Sequence, residues 1–492
     1  MRKEAQQALG IAVSTMVLGA CVTGPGTSAS AQKPRQISAS ERAQAAQAHP
    51  ESLAEFGGGY EGPGTAMVKR IGKEVAVRSN IASAENECTV TLLNTTVVNA
   101  FAIPGCYVYM TRGLLSIMNS EAELASVLGH EVGHVDAQHS KKRQNAALGS
   151  GLVSILATVL TGSSQIGQLA GQLGQAWTMK YSRDQEYQSD DLGIRYMTAA
   201  GYDPYAAAEI LQSLGDQEAL ETRIRGQNEA AQIPSWARSH PLTAARVKRA
   251  SQKAAATGVK PGQLKRDAPD YYAAVDGMLY GDDPAQGFVE GHKFAHPVLK
   301  IAFEVPQGYY LNNGAAAVTA TGGQAQIQFS GGKLGDGDSL DSYISTVFQG
   351  VLGNNKAQYT GVQRTTINGM DAATATARVA TQNGNRDVNV VAYRFGGGSG
   401  YHFIFISPSN VNVWDVVNTT ARSFRKLTDA QAAALRKRVV QVVTVKSGDT
   451  AQSISQRMAF DNYKLERFLV MNNREANPTL RAGEKVKIVV FG

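Results

Sequence analysis

His130-Glu131-Val132-Gly133-His134 fixes what its surroundings must be, because two imidazoles at this spacing act together only on a helix. A helix advances about 100° per residue, so the two rings stand about 40° apart and converge on one small cation. Glu131 lies about 100° from His130. It is off the ligating face but beside it, where it can take a proton from water. Two imidazole nitrogens with a position left open suit zinc. The flanking residues supply the helix. Ser120 and Glu123 form a capping box, and Ala122, Leu124, Val127, Leu128 and Val132 make an apolar stripe. The helix is predicted to run to about Lys142.

A catalytic zinc takes a third protein ligand. A second helix is predicted from Arg183 to Ala200, and on it Glu186 and Asp190 share one face, four residues apart. Glu186 is the candidate ligand. Asp190 is the candidate acceptor for a ligating histidine's second N–H. A solvated acidic face presents the same pattern, so these two carry weight only with the histidines. Asp203-Pro204 predicts the start of a third helix. His139 is expected to point off the metal face, and Tyr181 to pack. His49, His292, His296 and His402 show no partner in sequence.

Four features in order resemble the gluzincin peptidase family that includes HtpX, BepA and the CAAX prenyl proteases. They are Asn99-Ala100-Phe101-Ala102-Ile103-Pro104-Gly105, the helix with its two histidines, Ser182-Arg183 with Glu186 and Asp190, and Ser239-His240-Pro241 with Arg246. The resemblance implies one zinc ion held by His130, His134 and Glu186, with Glu131 as general base. It places Asn99, Ala100, Phe101 and Ala102 at the cleft edge, and His240 and Arg246 near the substrate or the oxyanion. The chain departs from the family in having Ser189 in place of Ala and Cys106 in place of a second Gly. It also lacks the clear membrane-spanning segments of HtpX and the prenyl proteases, which favours the BepA-like branch.

The rest of the chain reads as a multidomain α+β protein. Residues 1–21 resemble a lipoprotein signal peptide: Arg2 and Lys3, a short apolar stretch, then Leu18-Gly19-Ala20-Cys21, with Cys21 as the lipidated residue. Val22 after it favours the outer membrane. Residues 22–45 have tether composition. Residues 46–262 form a mainly helical zinc domain with a small sheet, and 263–430 an α+β domain of unassigned role. Residues 439–492 read strand, helix, helix, strand and resemble a LysM module, with Ala451 where that pattern has a larger apolar residue. Residues 144–179 carry no charged side chain. They read either as a packed helical hairpin or as a flap or contact surface. Cys88 and Cys106 are either a disulfide or two buried thiols.

There are 48 Lys and Arg against 41 Asp and Glu, without a basic run interleaved with aromatics, so nucleic acid is not an expected partner. The expected activity is zinc-dependent hydrolysis of peptide bonds in misfolded or unassembled envelope proteins, in the periplasm. Its partners are protein substrates, a membrane reached through a lipid anchor, and peptidoglycan or an assembly machine. The rival reading is an assembly chaperone or wall-binding lipoprotein with little turnover.

Overall fold

The computed structural model describes residues 33–142, 181–225, 236, 240–352, 359–381 and 384–492. Cys21 and the uncharged 144–179 stretch lie outside the described residues. Helix α1 (Ala39–Glu55) opens on a capping box, in which the Ser38 hydroxyl accepts the Glu41 N–H and the Glu41 carboxylate accepts the Ser38 N–H. The helix thus begins inside the 22–45 stretch assigned to a tether. Composition does not weigh that cap, nor the packing that buries Ala45.

Helix α2 (Thr65–Ala76) buries Met67, Val68, Ile71 and Val75 on one face. It packs on a sheet of β1 (Thr89–Leu93), β2 (Ala100–Ile103) and β3 (Tyr107–Thr111). The order is β1-β3-β2, with β1 and β3 parallel and β2 at an edge. Pairing Thr89 with Tyr107 sets the preceding residues, Cys88 and Cys106, side by side. They form a disulfide with Cα atoms 4.6 Å apart, which resolves the two readings of these cysteines.

Two short helices, α3 (Ala84–Glu87) and α4 (Arg112–Ile117), lead to α5 (Glu121–Asp136). Ser120 caps α5 by accepting the Glu123 N–H, while the Glu123 carboxylate accepts from Asn119 N–H. Helix α5 stops six residues short of the predicted end at Lys142, because Gln138 takes a left-handed conformation (φ 56°). A separate helical turn follows over 139–142.

Helix α6 (Arg183–Ala199) crosses α5, and α7 (Ala206–Arg225), α8 (Ala244–Ala256) and α9 (Ala268–Val275) complete the first body. Asp203 Oδ1 accepts the Tyr205 N–H in a turn, so α7 begins at Ala206, past the predicted Pro204 start. Tyr271, Val275 and Met278 are buried in this first core, although they fall beyond the 262 boundary.

The middle unit holds a seven-stranded sheet ordered β11-β12-β13-β14-β10-β9-β8. Its strands are β8 (Tyr310–Asn313), β9 (Val318–Thr321), β10 (Gln326–Lys333), β11 (Gln363–Ile367), β12 (Met370–Thr381), β13 (Gly384–Gly396) and β14 (Ser399–Pro408). Helix α10 (Leu340–Leu352) lies on one face. On the other face are α11 (Trp414–Ser423) and a small sheet of β5 (Phe288–Glu290), β6 (Lys293–His296), β7 (Ile301–Glu304) and β15 (Arg425–Lys426).

After α12 (Asp429–Ala434), the C-terminal unit runs β16 (Arg438–Thr444), α13 (Ala451–Ser455), α14 (Lys464–Met471) and β17 (Lys485–Phe491). β16 also pairs with β4 (Leu279–Tyr280). Val440, Ile454, Phe468, Val486 and Ile488 belong to the same buried cluster as α2 and α5.

Candidate metal centre

Helices α5 and α6 approach backbone to backbone. A Cβ built on Gly193 would stand 2.8 Å from His130 N, and one on Gly129 would stand 3.1 Å from Gly193 O. That approach brings His130 and His134 of α5 against Glu186 and Asp190 of α6. All four are buried, as are Glu131 and His240. His130, His134, Glu186 and His240 each offer a donor atom, and these atoms lie within 4.8 Å of one another.

The hydrogen bonds behind the rings fix their tautomers. His130 Nδ1 is 2.9 Å from Asp190 Oδ1, so its N–H points there and Nε2 presents a lone pair. Gln188 Oε1 accepts from His139 Nε2 at 3.1 Å, which leaves His139 Nδ1 to accept from His134 Nδ1 at 2.9 Å. His134 Nε2 therefore also presents a lone pair, 3.0 Å from that of His130. Two nitrogens facing each other at that distance need a proton or a metal ion between them.

Charge gives the same answer. Glu131, Glu186 and Asp190 are three buried carboxylates, with Arg246 the one guanidinium among them. Arg246 donates to both Asp190 oxygens at 2.9 and 2.7 Å and reaches Glu186 Oε2 at 2.6 Å. Burial opposes a proton on His130, but the Asp190 hydrogen bond and the nearby carboxylates raise its pKa, so this acidic site favours a cation. Burial opposes ionisation of Glu186, but His240 and Arg246 hold its carboxyl well below the usual range. Burial also works against Asp190, whose carboxyl is kept low by Arg246 and by the His130 hydrogen bond. Burial drives His134 well below an ordinary histidine. A neutral imidazole is the form that ligates.

The structure brings His130, Glu131, His134, Glu186, Asp190 and His240 together, and it sets His240, expected near the substrate or the oxyanion, within the donor cluster itself. Arg246 differs. It was placed toward the substrate, but it is 2 % exposed and fully engaged with Asp190 and Glu186. Asn99, Ala100, Phe101 and Ala102 have buried side chains, with Phe101 stacked on Tyr109. The segment forms an edge strand of its sheet. His139 lies off the metal face, as expected, and there holds His134 Nδ1 from behind, where the break at Gln138 places it. Tyr181 stacks on His134 with ring centroids 3.8 Å apart, and Trp236 stacks on His240 at 4.5 Å. Trp236 stands four residues before His240, whose N–H donates to its carbonyl, whereas Tyr181 reaches His134 only through tertiary packing.

Residues 64–254 match Peptidase family M48. The chain is 27% identical over 257 residues to the mitochondrial metalloendopeptidase OMA1 of Schizosaccharomyces pombe, covering 51% of this chain and 69% of that protein. It is 27% identical over 228 residues to the beta-barrel assembly-enhancing protease of Yersinia pestis, covering 44% of each. It is 30% identical over 169 residues to the metalloprotease LoiP of Escherichia coli, covering 33% of this chain and 61% of that protein. The chain thus spans just over two thirds of the first relative and less than half of the second. Residues 64–254 are thus similar to the M48 metallopeptidases, and the buried His130–His134–Glu186–His240 cluster within them fits one zinc ion.

Proposed function

We propose that the chain is an endopeptidase of the cell envelope that hydrolyses misfolded or unassembled proteins. The observation that carries this reading is a buried Glu131 beside two tautomer-fixed histidines whose lone pairs meet at 3.0 Å. His130, His134 and Glu186 are the residues that would hold zinc. Zinc when bound supplies a Lewis acid for the scissile carbonyl and for water. Glu131 takes the proton from the attacking water and returns it to the leaving amine. Asp190 and Arg246 keep the ligands in place. We place His240, the fourth donor of the set, beside the substrate and not on the metal. Its ring then stays beside the carbonyl oxygen as that atom gains charge.

Substrate is held as an added strand along β2, an edge strand whose partner on its other side is β3. That mode reads main chain, which suits unfolded protein. The disulfide fits an oxidising compartment. The relatives' names, a beta-barrel assembly-enhancing protease among them, support the substrate class. Lipidation at Cys21, attachment to the outer membrane and glycan binding by the LysM-like unit belong to the same proposal. Cleavage of casein and of a denatured outer-membrane protein tests it, with and without chelator. Glu131→Gln should keep zinc and melting temperature and lose nearly all turnover. Wild-type rates in that variant would remove Glu131 from the chemistry.

A further inference from the structure

The sheet face under α10 changes character halfway across. One cross-strand row reads Ala375, Val390, Ile404, Gln328, Thr319, Asn312. Helix α10 buries the first three. The polar three form the floor of a cleft of about 1010 Å³. Tyr343, Thr346, Val347 and Val351 of α10 make one wall. Glu51, Ala54 and Glu55 of α1 make the opposite one. The two walls belong to different units but are tied together. Gln286 Nε2 donates to the Gly57 and Asn94 carbonyls, and the carbonyl of Gln286 accepts from Asn313 Nδ2 at 3.1 Å.

A hydrogen-bond chain fixes the Ser330 hydroxyl of the cleft as an acceptor. Tyr343 donates its one hydroxyl proton to Gly400 O, so at 3.0 Å it must accept from His402 Nδ1. His402 Nε2 then accepts the Ser330 hydroxyl proton at 3.0 Å. Ser330 is left with lone pairs to offer a ligand. Glu51 and Glu55 stand one turn apart on α1, and among the described residues no cation pairs with Glu55. Glu55 is open to solvent, yet the concave walls displace enough water to push its carboxyl up to about 7. Lys333 and Asp338, also on the lining, carry opposite charges. The two glutamates therefore set the sign of the cleft.

We propose that this cleft binds an extended, largely apolar polypeptide segment carrying a lysine or arginine side chain, as a second contact for the protein that the metal centre cleaves. The apolar wall and the polar floor suit a chain lying across the sheet. The Ser330 hydroxyl and the carboxylates suit its cationic group. The volume is at the upper end of what a compact small-molecule site needs. The proposal rests on the endopeptidase reading for its purpose, but its test does not depend on turnover.

The test uses full-length Glu131→Gln protein and fluorescence anisotropy. The probe is a labelled twelve-residue peptide alternating leucine and lysine, compared with the same peptide acetylated on its lysines. We expect affinity to fall at least tenfold on acetylation. It should fall at least tenfold for the lysine peptide in the Glu51→Gln/Glu55→Gln background. Ala316→Trp, which fills the lip of the cleft, should weaken binding while leaving the glutamates intact. Equal binding of the acetylated peptide would overturn the proposal. So would unchanged affinity in the glutamate variant, since the peptide would then sit elsewhere, and so would no binding at all. Peptide binding without casein cleavage by the wild type would sink the endopeptidase reading and leave the cleft standing. Cleavage without cleft binding would do the reverse.

Discussion

Gly193→Ala should loosen zinc binding although residue 193 touches no ligand atom. The new Cβ would lie 2.8 Å from His130 N and 3.1 Å from Gly129 C, both backbone atoms that no side-chain rotation can move. Comfortable contact begins at about 3.5 Å, so α5 and α6 must separate by roughly 0.5 Å or more at the crossing. The ligands divide across that crossing, His130 and His134 on α5 and Glu186 on α6. Metal–ligand distances tolerate only about 0.2 Å. Overpacking costs about 1–3 kcal/mol, and the helix preference for Ala over Gly offsets about 1 kcal/mol of it. Net destabilisation is therefore modest, and zinc affinity is the sharper readout. We expect it to fall on the order of 10–100-fold, as for other losses of ligand positioning. Competition with a chromophoric chelator measures this directly. Gly133→Ala, whose nearest neighbours would be 3.2 Å away, should show a smaller loss. Wild-type zinc affinity in Gly193→Ala would refute the claim that the glycine crossing sets the ligand geometry.

Arg246→Leu leaves Glu186 and Asp190 without their counter-charge and should destabilise the metal-free protein by about 3–5 kcal/mol, with Arg246→Lys intermediate. A loss under about 1 kcal/mol in urea denaturation would contradict the ion-pair reading. His139→Phe removes the acceptor for His134 Nδ1–H and should lower zinc affinity about 10–100-fold without changing the ligand set. Unchanged affinity would return His139 to a packing role. Burial lowers His402 to about 4. As pH falls, the unfolded state takes up the proton first, so stability present above about 6.5 is lost between about 6.5 and 4, by up to about 3 kcal/mol. Hydrogen exchange in the seven-stranded sheet should show that slope, and His402→Gln should flatten it.

The ligands were legible because metal chemistry imposes a spacing that survives in one dimension. Two histidines on one helix face, and two acids on another, are written at four-residue intervals. The residues that complete the site obey no such rule. Tyr181 reaches His134 through tertiary stacking, far from it in sequence. His139 serves His134 because one residue, Gln138, leaves the helical region. Arg246 was noticed beside His240 but given a substrate role, since a sequence cannot show that two carboxylates enclose a guanidinium. The strand Asn99–Ile103 was placed at the cleft edge. That Asn99, Ala100, Phe101 and Ala102 are buried follows from tertiary packing, which the sequence does not state. In the middle unit the strands showed as short apolar runs, but the cleft did not. The floor row takes Ile404, Gln328, Thr319 and Asn312 from four strands.

The C-terminal unit shows how a correct local reading can still mislead about independence. Its strand–helix–helix–strand order is as the sequence suggests, and Val440, Val486 and Ile488 recur at the period of a buried strand face. Periodicity says that a face is buried, not what buries it. Here the cover includes the peptidase body. Lys487, by composition a surface residue, is fully buried. Its ammonium donates to Ser116 O at 2.8 Å and to Met118 O, carbonyls at the end of α4 that have no helical partner of their own. β16 meanwhile borrows β4 from a segment some 160 residues earlier. A unit of this size has too little core to be sure of folding alone. Removing it would expose an apolar face of the first body to water. The structural unit that supports the metal centre therefore includes residues 438–491 as well as the matched 64–254, with the middle unit inserted between them.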